Sequence, residues 1–306
     1  MTETVHVTAE RIRRLEVQGA RNVAIAAIKA LESLAKETKA KKRENFMKEL
    51  SEAKATLFAT RETEPLMRNA VRWVISQVED SDERNVGELV NLVTSSSRNF
   101  QKSLEASKER IAEIGDKRVR DGSVILTHCH SSTVTYMLSK ALKEGKKFEV
   151  IITETRPAFQ GRITAKEMLA LGVKTTFIVD SAARSFMKNV DLVVVGADAI
   201  TSEGNVVNKI GTGTIALLAR EARKPFYVVS ELLKFDPATL YGEYEKIEER
   251  SRDEVWKDAP AELNVRNPAF DVTPRDLIHG VICEEGIVSP HSVAEVVRRA
   301  YPWVFH

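Results

Sequence analysis

Five short apolar runs alternate with helical stretches along the later part of this chain, and that alternation leaves few folds open. The runs are SVILT (123–127), FEVIIT (148–153), TTFIV (175–179), DLVVV (191–195) and FYVVS (226–230). Stretches of helical periodicity, such as VTYMLSKALKEG and GTIALLAREARK, lie between them. Runs without a polar face belong to strands buried on both sides, and strand–helix alternation lets such strands lie parallel with helices covering both faces. The pattern predicts an α/β fold, with a Rossmann-like, mainly parallel doubly wound sheet over residues 116–306.

Residues 1–115 carry a different pattern. Ile12, Leu15, Val23, Ala27, Ala30, Leu31 and Leu34 recur at three- and four-residue spacing, with Gly19 as a break. Phe46, Leu50, Ala53 and Leu57 repeat it after the basic run KAKKR (39–43), which reads as a solvated face. Pro65 starts a further helix bearing Leu66, Ala70, Trp73, Val74 and Val78 on one side. A long helix is expected from about Asp82 to Ile114, ending at Gly115. The expected organisation is a helical domain, 1–115, followed by the Rossmann-like domain.

Charge and cysteine content narrow the function classes. The 306 residues carry 46 basic and 44 acidic side chains, a net charge of +2, which gives no nucleic-acid footprint. Two cysteines, Cys129 and Cys283, exclude a disulfide scaffold and suit a reducing cytoplasm. No apolar run approaches the roughly 20 residues of a membrane span, and MTETVHVTAERIRRLE lacks a signal-peptide core.

In open parallel sheets ligands bind beyond the carboxyl ends of the strands. That rule gathers His128, Cys129, His130, Ser131 and Ser132 after the first run. Glu154, Thr155, Arg156, Asp180, Asp198, Glu231 and Lys234 follow the others. A metal clip at HCH is disfavoured, because an extended segment points its cysteine away from both histidines and no second ligand cluster exists. SSTV (131–134) and the glycine-threonine run of NKIGTGTIALL (208–218) each lead into a helix, so each either caps its helix or receives a phosphate. Two such sites with Lys209 and Lys234 nearby favour a phosphorylated ligand. Cys129 is either a thiol whose pKa is lowered by its helix N-terminus and histidines, or a small buried hydrophobe. Asp198 is either a partly desolvated acid or a turn cap. Cys283 has no comparable neighbours and reads as structural.

TETRPAFQG (153–161), THCHSS (127–132), VVGAD (194–198) and NKIGT (208–212) together resemble the family that joins ribose-1,5-bisphosphate isomerases, methylthioribose-1-phosphate isomerases and the regulatory subunits of initiation factor 2B. The likeness is densest from about 120 to 235 and is strongest to the archaeal ribose-1,5-bisphosphate branch. It implies catalytic roles for Cys129 and Asp198. Substrate contacts would fall on Gly19, Ala20, Arg21, Arg61, Ser131, Ser132, Thr133, Asn208, Lys209 and Lys234. The chain lacks the "RPTAVNL"-like stretch of the methylthioribose branch, and it has the cysteine–aspartate pair that the initiation-factor branch usually lacks. The resemblance further implies conversion of ribose 1,5-bisphosphate to ribulose 1,5-bisphosphate without metal or other cofactor. It also implies a homo-oligomer (dimer or hexamer) and AMP as a possible activator.

Overall fold

The computed structural model describes residues 3–61 and 63–305. The chain divides into two compact units, one of residues 1–106 with 301–306, the other of residues 107–300.

The first unit is helical. Helices α1 (Glu3–Arg13), α2 (Ala20–Glu37), α3 (Arg43–Phe58), α4 (Pro65–Glu79) and the first part of α5 (Val86–Gly115) make it up. The expected break between α1 and α2 falls at Gly19, whose φ of 83° is open to glycine but costly for other residues. Ile12, Val23, Leu31, Leu34, Phe46, Leu50, Leu57 and Leu66 are fully buried, the stripes that periodicity picked out. Trp73 is half-buried and packs on Phe100 and Trp303, with ring centroids 5.5 and 6.5 Å away. One residue of the basic run departs from the solvated reading. Arg43 donates to the carbonyls of Val78, Glu79 and Glu83 at 3.0, 2.9 and 2.8 Å, and also to that of Ser81. These carbonyls lie at and just beyond the C-terminus of α4, where the helix leaves its last acceptors unpaired.

The second unit continues through β1 (Ser123–Thr127), α6 (Ser132–Lys143), β2 (Phe148–Thr153), α7 (Gly161–Ala170), β3 (Lys174–Ile178), α8 (Ala183–Met187) and β4 (Leu192–Val195). Then come β5 (Ala199–Ile200), β6 (Val206–Lys209), α9 (Thr212–Glu221), β7 (Phe226–Val229), α10 (Asp253–Trp256), β8 (Phe270–Thr273), β9 (Gly280–Cys283), β10 (Gly286–Val288) and α11 (Val293–Ala300). All five apolar runs became strands of one seven-stranded sheet, ordered β10-β9-β7-β4-β1-β2-β3. Its pairs are parallel except β9–β10. Ile125, Val150, Ile152, Leu192, Val194 and Val229 pack beneath Val134, Met137 and Leu138 of α6 in one core.

The chain runs outward from β1 to β2 and β3, then returns to place β4 on the other side of β1. That reversal is a topological switch point, where an open α/β sheet leaves a crevice at its carboxyl edge. The edge hairpin β9–β10 and a small sheet ordered β5-β6-β8 were not expected from sequence. Their strands have two to four residues each, too few for alternation to be read. Among the described residues no helix is long and apolar enough to cross a membrane.

Arg43→Met should cost about 1–3 kcal/mol, the scale of charge-assisted hydrogen bonds, while keeping the apolar stem. Urea unfolding checks this, and a loss below about 0.5 kcal/mol would refute the capping role.

Candidate active site

The site is assembled from the segments that leave the strands at the carboxyl edge of the sheet. After β1 the chain does not stay extended. His128 is buried, and Cys129 turns with φ at 68°, in the left-handed region that residues other than glycine seldom occupy. The extended geometry assumed for HCH is therefore corrected. The turn splits the two histidines into separate networks.

His128 bridges two neighbouring elements. Its Nε2 lies 2.8 Å from the Ile210 carbonyl and its Nδ1 2.6 Å from Thr153 Oγ1. A carbonyl only accepts, so the proton is assigned to Nε2 and Nδ1 accepts from the threonine hydroxyl. Burial lowers the pKa of the ring below the ordinary histidine value, and the Lys209 charge works in the same direction. With both nitrogens engaged, His128 is a brace and not a base. The brace also explains Gly211, whose φ is 100°: a Cβ there would come within 3.2 Å of the imidazole. His130 is half-buried and faces α7, with Nδ1 3.2 Å from Thr164 Oγ1 and Nε2 3.8 Å from Glu167.

Cys129 is half-buried. Burial pushes its thiol up to about 12, with Asp198 and Asp180 adding to the rise and Lys209 opposing it. This corrects the expected lowered pKa: desolvation outweighs the lysine charge and the His130 N–H, so the resting group is a protonated thiol. Asp198 is close enough for its charge to act on Cys129. It comes from the turn after β4, where its N–H donates to Val207 O at 2.9 Å. Between them Gly196 lies against Ser131, and a Cβ there would sit 2.7 Å from that of Ser131. Only glycine lets β4 and α6 approach so closely. Cysteine and aspartate thus leave β1 and β4, the strands that flank the switch point.

Buried cations line the same crevice. Lys209 ends β6 with its ammonium 4.6 Å from the centroid of the Phe270 ring, and its charge acts on both Cys129 and His128. Lys234 donates to Ala197 O at 2.8 Å and lies 3.4 Å from Glu231 Oε2. Glu231 Oε1 in turn accepts from Thr133 Oγ1 at 3.3 Å. Glu231 was placed on the rim by the strand-end rule, but nothing in the sequence tied it to Thr133 and Lys234. Ser131 caps α6 by accepting from Val134 N–H at 3.4 Å, while Ser132 is exposed. Asn208 donates to Thr212 Oγ1 at 3.0 Å and fastens the turn into α9.

One of the two expected phosphate sites is already filled. The amides of Gly211 and Gly213 at the start of α9 donate to the Asp271 carboxylate at 2.8 and 3.1 Å. The anion at this helix N-terminus is supplied by β8 of the same chain, so the open helix start on this rim is that of α6. Asp271 lies some 60 residues away in sequence and no local signal connects it to the helix.

The remaining expected contacts belong to the first unit. Gly19 and Ala20 open α2. Arg21 is buried and reaches Leu104 O at 2.7 Å and Glu105 Oε1 at 2.5 Å. Arg61 pairs with buried Glu64 at 2.5 Å. Among the described residues no group of three or more His, Cys, Asp or Glu side chains stands where it could hold a metal ion.

Fold and crevice together define an open α/β protein that brings a cysteine and an aspartate together at its switch point. The model of the initiation factor 2 subunit family matches residues 16–290, and the chain belongs to that family. A relative from Archaeoglobus fulgidus named ribose 1,5-bisphosphate isomerase is 44% identical over 300 residues, spanning 96% of this chain and 93% of that protein. One from Pelotomaculum thermopropionicum named methylthioribose-1-phosphate isomerase is 37% identical, spanning 92% and 82%. The solved structure of translation initiation factor eIF-2B from Pyrococcus horikoshii OT3 matches with a TM-score of 0.83 at 30% identity, over 95% of this chain and 98% of that one.

If His128 is a brace, its ring is held neutral as the Nε2–H tautomer to a pH below the ordinary histidine midpoint. Nitrogen-15 imidazole spectra report this, and a ring titrating near 6.5 would contradict it.

Proposed function

We propose that the protein is an aldose–ketose isomerase that converts ribose 1,5-bisphosphate to ribulose 1,5-bisphosphate. The observation that carries the reading is the meeting of Cys129 and Asp198 at the switch point, beside buried Lys209 and Lys234. The 44% identity to a relative of that name over nearly the whole chain supports the choice of substrate.

A sugar phosphorylated at C1 cannot open its ring unaided. In this reading protonated Asp198 gives its proton to the ring oxygen as the C1–O bond breaks. Cys129 thiolate then takes the C2 proton, and the C–H electrons form a C1–C2 double bond, giving an enol phosphate. Return of the proton from Sγ to C1, with loss of the C2 hydroxyl proton to Asp198, leaves the 2-ketone and restores both groups. Because burial holds the resting proton on Cys129, this reading requires that proton to leave Sγ before C2 is deprotonated. Lys209, Lys234 and the start of α6 supply positive potential for the phosphates. Gly19, Ala20, Arg21 and Arg61 belong to the same reading as substrate contacts that rest on the family resemblance alone. We further read the protein as a cytoplasmic homo-oligomer, dimer or hexamer, whose turnover AMP raises; light scattering and assay with added AMP test these points.

A second reading rests on the 37% identity to the methylthioribose-1-phosphate relative. Incubating the purified protein with each sugar phosphate separates the two. Ribulose 1,5-bisphosphate as product supports the first reading, and turnover of methylthioribose 1-phosphate alone supports the second. Binding without turnover of either points to a regulatory subunit.

Cys129→Ser and Asp198→Asn should each retain binding and lose about 10²–10⁴ of turnover, the usual worth of general acid–base assistance. Cys283, buried on β9 with its Sγ donating to Gly286 O at 3.3 Å, serves as the control. Cys283→Ser should stay near wild type. Near-normal turnover in Cys129→Ser would remove the thiol from the mechanism.

A further inference from the structure

Cys129 is not held in its turn by its own strand. Its N–H donates to Thr155 Oγ1 at 2.9 Å, and its carbonyl accepts from Thr164 Oγ1 at 2.9 Å. Thr155 is itself left-handed, with φ at 63°, and fully buried. For a β-branched residue this is a conformational outlier, kept only where the surroundings dictate it. What dictates it is Asp180, just beyond β3. Its carboxylate accepts the Thr155 N–H at 2.8 Å through Oδ1 and the Arg156 N–H at 2.7 Å through Oδ2. The Thr155 hydroxyl then donates to Thr153 O at 3.3 Å, which aims its lone pairs at the Cys129 amide. Glycine would satisfy either backbone at lower strain but would lose both the hydroxyl that links the turns and the thiol.

We infer that Asp180 is a positioning residue: through Thr155 it sets the left-handed turn that presents the Cys129 thiol to the crevice. The chain of contacts runs across the sheet in strand order, from beyond β3 to beyond β2 to beyond β1. Each link joins a carboxylate or hydroxyl to a backbone N–H. No step depends on Asp180 touching a substrate. The catalytic part of this inference rests on the proposed isomerase reading. The geometric part does not.

Two substitutions and two readouts test it. Asp180→Asn keeps the shape but leaves one of the two N–H groups facing an amide that cannot accept. Thr155→Val keeps the volume and removes the acceptor of the Cys129 amide without changing charge. Each should lower kcat on ribose 1,5-bisphosphate about ten- to hundred-fold, with KM changed by less than about threefold, as expected for a displaced reacting group. The second readout is alkylation of Cys129 by iodoacetamide in a Cys283→Ser background. The charges that act on this thiol are those of Lys209, Asp198 and Asp180. Asp180→Asn removes one anion, so alkylation near pH 8 should rise severalfold while turnover falls. In Thr155→Val the charges are intact, so the same fall in kcat should come without that rise.

Wild-type kcat in both folded variants overturns the inference. So does an unchanged alkylation rate in Asp180→Asn. If Asp180→Asn does not fold, Thr155→Val alone decides through kcat. If the wild-type protein turns over no sugar phosphate, the isomerase reading fails, and the alkylation arm still decides whether Asp180 governs the thiol.

Discussion

Parallel pairing of β1 between β4 and β2 fixes everything that happens at the crevice. Register brings Thr127 level with Ile152, and Leu126 level with Val193. The residues just past each strand therefore emerge side by side on one edge. From there short contacts can form across the sheet: His128 to Thr153, Cys129 to Thr155, Thr155 to Asp180, and Lys234 to the carbonyl before Asp198. A one-residue slip would reverse the faces of β1 and break the set.

The crevice is a place where polar groups are buried and made to satisfy one another. Glu231 stands between Thr133 and Lys234, and Lys209 rests on the Phe270 ring. Low local dielectric strengthens each of these contacts and makes an orphaned partner costly. The same burial keeps the Cys129 thiol protonated at rest. In the proposed isomerisation, loss of that proton depends on what else enters the crevice. An anionic ligand brings charges of its own, and the buried lysines are placed to oppose them.

Asp271 shows how the small sheet contributes. By occupying the amides that open α9, it docks β8 onto the turn after β6 and holds Gly211 against the His128 ring. That fixes Lys209, at the end of β6, beside Cys129. The short strands β5, β6 and β8 are thus a second scaffold, which brings one cation to a site otherwise built on the large sheet.

Much of this was legible in the sequence because periodicity is local. The five apolar runs, the helix start at Pro65, the break at Gly19 and the strand-end placement of Cys129 and Asp198 each depend on a few neighbouring residues, and each appears in the fold. What tertiary structure decided depends on residues far apart in the chain. Asp271 reaches an amide 60 positions away, Asp180 one 25 positions away, and Arg43 carbonyls 35 to 40 positions away. The state of the Cys129 thiol is of the same kind. Its neighbours in sequence favour a low pKa, but its neighbours in space strip away part of its water, and desolvation prevails.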